Sequence, residues 1–191
     1  MKAAILVGGQ GRRMGGLSKP LIEIDGRRIL DRQLEVLAAA NFEVALVGNQ
    51  LDPFTSYGLR GLADAPGVEG PLAGLIAALE WARPSDVFIV AGDMPDLSIE
   101  VLDVFIAAAA ENPDVAVIAA RSGGRVQPLH AIYRTAYVDT WKRLAVPGKH
   151  CSPSRILEGD SLEVCWVDDR VRQIDASGSV FRNVNQPADL S

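Results

Sequence analysis

Lys2-Ala3-Ala4-Ile5-Leu6-Val7-Gly8-Gly9 decides the fold: an unbroken apolar run from Ala3 to Val7 stops at two glycines. A strand covered on both faces reads this way, because side chains alternate across the sheet and both rows must then be apolar. Outward from it, Ile22 and Ile24 flank Glu23 before an Asp25-Gly26 turn signal. Ile29, Leu30, Leu34, Leu37 and Ala38 then recur at helical spacing, and Glu43 to Val47 reads as the next strand. The chain therefore opens strand, loop, helix, strand.

The pattern continues. A short strand is expected near Leu59 to Ala63, then a helix from Gly70-Pro71 through about Ala82, stopped by Pro84. Val87 to Val90 is fully apolar and runs straight into Gly92-Asp93-Met94-Pro95, which puts Asp93 at the carboxyl end of a central strand. Helical spacing returns at Val101, Leu102, Phe105, Ile106 and Ala109, with Ser98 as cap and Glu100 in the first turn. Val115 to Ala119 and Leu129 to Tyr133 read as two strands around a Gly123-Gly124 turn. A helix from about Thr135 to Leu144 and a strand from Glu163 to Val167 follow. The expected class is α/β, with a mostly parallel sheet covered by helices on both faces and ligands bound beyond the carboxyl strand ends. Gly8 to Lys19 and Gly92 to Asp96, the two loops with chemical content, both follow such ends.

Composition narrows the function. The 191 residues, 48% of them hydrophobic, suit one domain with one core. No run approaches the roughly 20 apolar residues of a membrane helix, and no signal segment is seen, so a soluble, cytoplasmic protein is expected. Two cysteines, Cys151 and Cys165, support neither a disulfide framework nor a four-ligand zinc site. A net charge of −5 argues against nucleic-acid binding, which draws on neutralised phosphates. Within this acidic chain the first 32 residues carry seven basic and three acidic groups. That excess fits either a small polyanionic ligand or a solvated basic surface.

The segment Gly8-Gly9-Gln10-Gly11-Arg12-Arg13-Met14-Gly15-Gly16-Leu17-Ser18-Lys19-Pro20 separates these readings. Glycines let the backbone approach a phosphate chain and turn N–H groups inward, while Arg and Lys supply countercharge. A P-loop requires Gly-Lys-Ser/Thr, and here Ser18 precedes the lysine and Pro20 follows it. A dinucleotide fingerprint starting at Gly9 requires glycine where Met14 stands.

The segment is similar instead to the signature of Rossmann-like nucleotidyltransferases: a Gly-rich loop, Arg-Met-Gly, then Lys after a short gap. Within that superfamily the chain resembles the molybdenum cofactor guanylyltransferases. The likeness extends through Gly70-Pro71-Leu72-Ala73-Gly74-Leu75, Gly92-Asp93-Met94-Pro95, Gln127-Pro128-Leu129 leading to Tyr133, and Asn183-Val184-Asn185-Gln186-Pro187. Gly8-Gly9 and the Gly70 to Leu75 stretch favour the guanylyl over the cytidylyl branch. Ser18 and Pro147-Gly148-Lys149-His150-Cys151 depart from the family, whose members often carry an aspartate and an arginine pair there.

The resemblance implies a three-layer nucleotide-diphospho-sugar transferase fold, GTP and molybdopterin as substrates, and Mg²⁺ as cofactor. It implies catalytic roles for Arg13, Lys19 and Asp93, with Asp93 holding the metal. Nucleotide contacts are implied for Leu6, Val7, Gly8, Gly9, Gly11, Lys19, Asn49, Asp64, Asp93, Asn183 and Asn185. It leaves room for handover to molybdoenzymes or other cofactor-biosynthesis proteins. Each residue has a plainer reading: Asp93 as a turn or cap aspartate, Asn49, Asp64 and Asn183 as local turn formers. Asp96 reads as a turn or cap residue, His130 as a packed core histidine, and His150-Cys151 as a weak metal pair. Trp81 and Trp166 read as core, and Trp141 is ambiguous.

The rival enzymes are a cytidylyltransferase, a sugar 1-phosphate nucleotidyltransferase and a nucleotide-sugar glycosyltransferase. The last usually carries Asp-x-Asp, where this chain has Asp93-Met94-Pro95-Asp96, and releases a nucleoside diphosphate. A non-catalytic molybdopterin carrier is opposed by the retention of Arg13, Lys19 and Asp93.

Overall fold

The strand Lys2–Leu6 (β1) is buried along both side-chain rows, as its apolar run requires. The computed structural model describes residues 1–8, 18–145 and 152–184. After β1 come a 3₁₀ turn at Lys19–Leu21, a small hairpin of Glu23–Ile24 (β2) and Arg27–Arg28 (β3), and the helix Ile29–Ala39 (α1). Glu43–Val47 (β4), a 3₁₀ turn at Asp52–Tyr57, Arg60–Leu62 (β5), Pro71–Ala82 (α2), Val87–Ala91 (β6) and Ile99–Glu111 (α3) follow. The second half holds Val117–Ala119 (β7), the hairpin Arg121–Ser122 (β8) and Arg125–Val126 (β9), and His130–Tyr133 (β10). It ends with Val138–Leu144 (α4), Pro153–Leu157 (α5), Val164–Trp166 (β11), Asp168–Ile174 (α6) and a 3₁₀ turn at Ser179–Phe181.

Seven strands form one sheet in the order β5-β4-β1-β6-β10-β7-β11. β10 runs antiparallel to both neighbours, and every other pairing is parallel. Alternation sorts the sheet's side chains into two cores. Ala3, Ile5, Phe88 and Val90 meet α1, α3 and α6, whereas Ala4, Leu6, Val87 and Ile89 meet α2, α4 and α5. The expected three-layer, mostly parallel architecture is the one observed. Among the described residues no helix is long and apolar enough to cross a membrane.

Local chemistry explains the boundaries. Pro71 begins α2, where its missing N–H would have had no helical partner. Ser98 Oγ accepts the Val101 N–H at 3.2 Å and caps α3 as expected, worth about 1 kcal/mol. The Gly123-Gly124 turn, with φ of 56° and 75°, closes the separate β8–β9 hairpin before the chain returns as β10. The helix expected from Thr135 divides into a 3₁₀ turn, Thr135–Tyr137, and α4. The 3₁₀ turn after β4 and the helices α5 and α6 were not anticipated, since each is too short to show a periodic pattern.

The aromatic expectations need correction. Trp141 is the fully buried one, edge-on to Tyr133 at 5.4 Å between centroids. Trp81 and Trp166 are half-buried, packed against the core from its edge, and each is covered by a cation. Lys2 lies 4.7 Å above the Trp81 ring, and Arg121 lies 3.6 Å above Trp166 on the edge strand β11. Asp96 pairs with Arg182, Nε to Oδ2 at 2.8 Å, and so ties the chain's last described segment to the loop after β6. His130 is a packed core histidine, fully buried among Phe88, Phe105 and Phe181, and burial pushes its pKa down to about 3.

Candidate functional site

β1, β4 and β6 are in register at their carboxyl ends, Leu6 lying opposite both Val47 and Ala91. Three chains therefore leave the sheet side by side, and glycine lets them do so. A Cβ on Gly48 would sit 2.9 Å from the Gly8 nitrogen, and one on Gly92 would sit 2.7 Å from Pro20 Cγ and 3.1 Å from the Leu6 carbonyl oxygen. The space above these exits is a cavity of about 370 Å³. Leu6, Val7, Gly8, Lys19, Asp64 and Asp93, all expected at the site, line it together.

Lys19 opens the short 3₁₀ turn whose Pro20 is buried against Gly92. That contact delivers the Lys19 ammonium to Asp93, Nζ to Oδ2 at 2.8 Å, with both side chains still reachable by solvent. Asp93 is held through its own backbone as well: its carbonyl accepts the Val184 N–H at 2.9 Å, and Gly92 N–H donates to Leu6 O at 2.9 Å. Val184 is buried with Ile22, Ile24 and Ile29, so the segment bearing Asn183 is anchored beside the carboxylate. The Asn183 side-chain amide donates to Phe181 O at 3.4 Å.

Asp64 follows β5 and faces the cavity between two glycines. Its Oδ1 lies 3.3 Å from where a Gly74 Cβ would be, and its Oδ2 lies 4.0 Å from a Gly8 Cβ. Asn49, after β4, grips Asp64 twice. Its amide donates to Oδ2 at 2.8 Å, and its carbonyl accepts the Asp64 N–H at 3.1 Å. Asn49 thus holds Asp64 at both its carboxylate and its backbone. Partial burial raises the Asp64 pKa above the ordinary carboxylate value.

Gly9, Gly11, Arg13 and Asn185 lie outside the described residues, as do Lys149, His150 and Cys151. Among the described residues no three His, Cys, Asp or Glu side chains converge on one point. A metal here would rest on Asp93 and the ligand's own oxygens, which suits a hard cation that keeps water and bridges phosphates. Two contributors escaped the sequence reading. Val184 carried no signal beyond its family motif. Gln33, whose Nε2 donates to Ala91 O and Met94 O on either side of Gly92-Asp93, did, since it is a polar residue on the face of α1 otherwise made by Ile29, Leu30 and Leu37.

Comparison with known proteins adds four findings. Residues 3–163 match the family model of the MobA-like NTP transferase domain. The molybdenum cofactor guanylyltransferase of Mesorhizobium japonicum is 34% identical over 98% of this chain and 91% of its own length. A probable molybdenum cofactor guanylyltransferase of Methanosarcina mazei is 30% identical over 98% and 87%. The crystal structure of molybdopterin-guanine dinucleotide biosynthesis protein A from Archaeoglobus fulgidus superposes with a TM-score of 0.79 at 26% identity, covering 100% of this chain and 95% of that one.

Proposed function

Since this chain belongs to the MobA-like NTP transferase family, a family of nucleotidyltransferases, we propose that it transfers GMP from GTP to the phosphate of molybdopterin. The single observation that carries this reading is the cavity wall bearing Lys19 and Asp93 at one side and Asp64 at the other. It offers a cation, a metal-binding oxygen and a base-reading acceptor within one nucleotide-sized space.

Asp64 supports guanine over cytosine. Guanine presents two adjacent donors, N1–H and N2–H₂, to which a carboxylate held by Asn49 can accept bidentately. Cytosine sets one donor beside an acceptor and leaves an oxygen of Asp64 facing a lone pair. The apolar floor of Leu6, Pro71 and Gly74 suits the base plane.

With a triphosphate bound, the Lys19 ammonium would face phosphate oxygens, and Asp93 would be the residue to hold Mg²⁺. Bound there, Mg²⁺ would neutralise charge on the triphosphate and the departing pyrophosphate. The acceptor phosphate is already ionised near neutral pH, so the site requires no general base. An oxygen of that phosphate bonds to the α-phosphorus in line, the bond to the β-phosphate bridge breaks, and pyrophosphate leaves with its electrons. What this chain's residues supply is alignment and countercharge.

The test is pyrophosphate release on mixing the protein with Mg²⁺, molybdenum-loaded molybdopterin, and GTP, CTP or ATP in turn. Release with GTP, accompanied by the guanine dinucleotide, is expected. Turnover with CTP in preference, or with a sugar 1-phosphate in place of the pterin, would replace this reading.

A further inference from the structure

We propose that Gln33, at the centre of α1, is the positioning residue for the Asp93 carboxylate. The inference rests on the role given to Asp93 above and extends it to a side chain that lines no part of the cavity. Gln33 is fully buried. Its Nε2 donates to two carbonyls, Ala91 O and Met94 O, each at 2.8 Å. These carbonyls stand on either side of Gly92-Asp93, and the Met94 N–H also closes on Ala91 O at 3.2 Å. The turn is cinched at its base by one amide, and Asp93 projects from it toward Lys19.

The choice of amide is informative. Gln33 Oε1 is buried without a hydrogen-bond partner among the described residues, a cost to folding that leucine or methionine would not incur. The neighbours on this helix face, Ile29, Leu30 and Leu37, show that an apolar residue fits the layer. What glutamine adds is its pair of donors, and both are spent on the Asp93 turn. With them gone, two buried carbonyls lose a partner and the turn relaxes. A carboxylate displaced by about an ångström from its metal and phosphate partners costs on the order of 100-fold in rate.

The experiment compares wild type with Gln33→Met, which removes both donors at similar volume, and Gln33→Asn, which keeps polarity but is one methylene short. Leu37→Ala, one turn along the same helix, is the control for lost packing. Steady-state guanylyl transfer and melting temperature are measured for each. Mn²⁺ binding in the presence of GTP is read from the paramagnetic resonance of free Mn²⁺. Both Gln33 variants are expected to lose roughly 10- to 100-fold in kcat and several-fold in Mn²⁺ affinity, with KM for GTP within about twofold. Leu37→Ala is expected to melt earlier while keeping kcat and Mn²⁺ binding. Gln33 variants with wild-type kcat and Mn²⁺ affinity, whatever their melting temperature, overturn the inference; so does a Leu37→Ala enzyme that falls equally. If wild type itself neither binds Mn²⁺ with GTP nor transfers guanylyl, the function proposed above fails first and takes this inference with it.

Discussion

Lys19 and Asp93 are 74 positions apart and meet at 2.8 Å, so each is a direct probe of the other's role. Asp93→Ala is expected to slow turnover by at least roughly 100-fold, the scale of one lost electrostatic stabiliser, while the protein still melts cooperatively. Near-normal turnover in that variant would refute its assignment. Asp64→Asn keeps the shape of the side chain but exchanges one acceptor for a donor. Its expected result is a KM for GTP raised by roughly 10-fold or more, with weaker discrimination against CTP. An unchanged GTP to CTP preference would mean that Asp64 reads ribose or backbone and not the base. That Lys19 and Asp93 belong to one site was legible in the family motifs, but their direct pairing was not. Nor was the bond from Asn49 to Asp64, because two turn residues in separate loops give no sequence sign that they touch.

Elements act as carriers of these side chains. The loop after β6 holds its shape because Gly92 admits Pro20 and the Leu6 carbonyl into the space of a side chain. Gly92→Ala should therefore separate Lys19 from Asp93 and lower kcat/KM by roughly 10-fold or more while the protein still melts cooperatively, which paired kinetics and thermal scans would reveal. Ser98→Ala removes the α3 cap and should cost about 1 kcal/mol in urea denaturation, with no change in slope. Long elements could be read from the chain: α2 and α3 run for three turns or more between proline, glycine and serine signals. α5 and α6 could not, since five and seven residues complete too few turns for an apolar stripe to emerge.

At the scale of the molecule, His130 makes stability sensitive to acid. Its folded pKa, about 3, lies below the unfolded value of about 6.5, so the unfolded chain binds the extra proton. The contribution is complete above about pH 6.5 and falls by about 1.4 kcal/mol per unit as pH drops toward 3, roughly 2 kcal/mol by pH 5. Denaturant titrations at pH 7.5 and 5 should show that loss in wild type and a smaller one in His130→Leu. Equal losses in both would place the acid sensitivity elsewhere. The aromatic enclosure by Phe88, Phe105 and Phe181 joins β6, α3 and the last 3₁₀ turn, so this one ring reports on the assembled core.

By itself the sequence determined the layered α/β class, the strand ends that bear the two loops, and the residue types at the site. The class and the strand ends follow from local rules, alternation in strands, helical periodicity, glycine and proline at turns, whereas the residue types at the site came from the resemblance of the motifs to a known family. The tertiary structure alone decided which distant groups share a cavity wall, that Gln33 cinches the Asp93 turn, that Val184 anchors beside it, and that Trp141 and not Trp166 is enclosed. Those facts depend on strand order and on the register of β1, β4 and β6, which fix distances between segments that no local pattern relates. Burial and pairing belong to the packed whole, because the same side chain is solvated or enclosed according to what the rest of the chain brings against it.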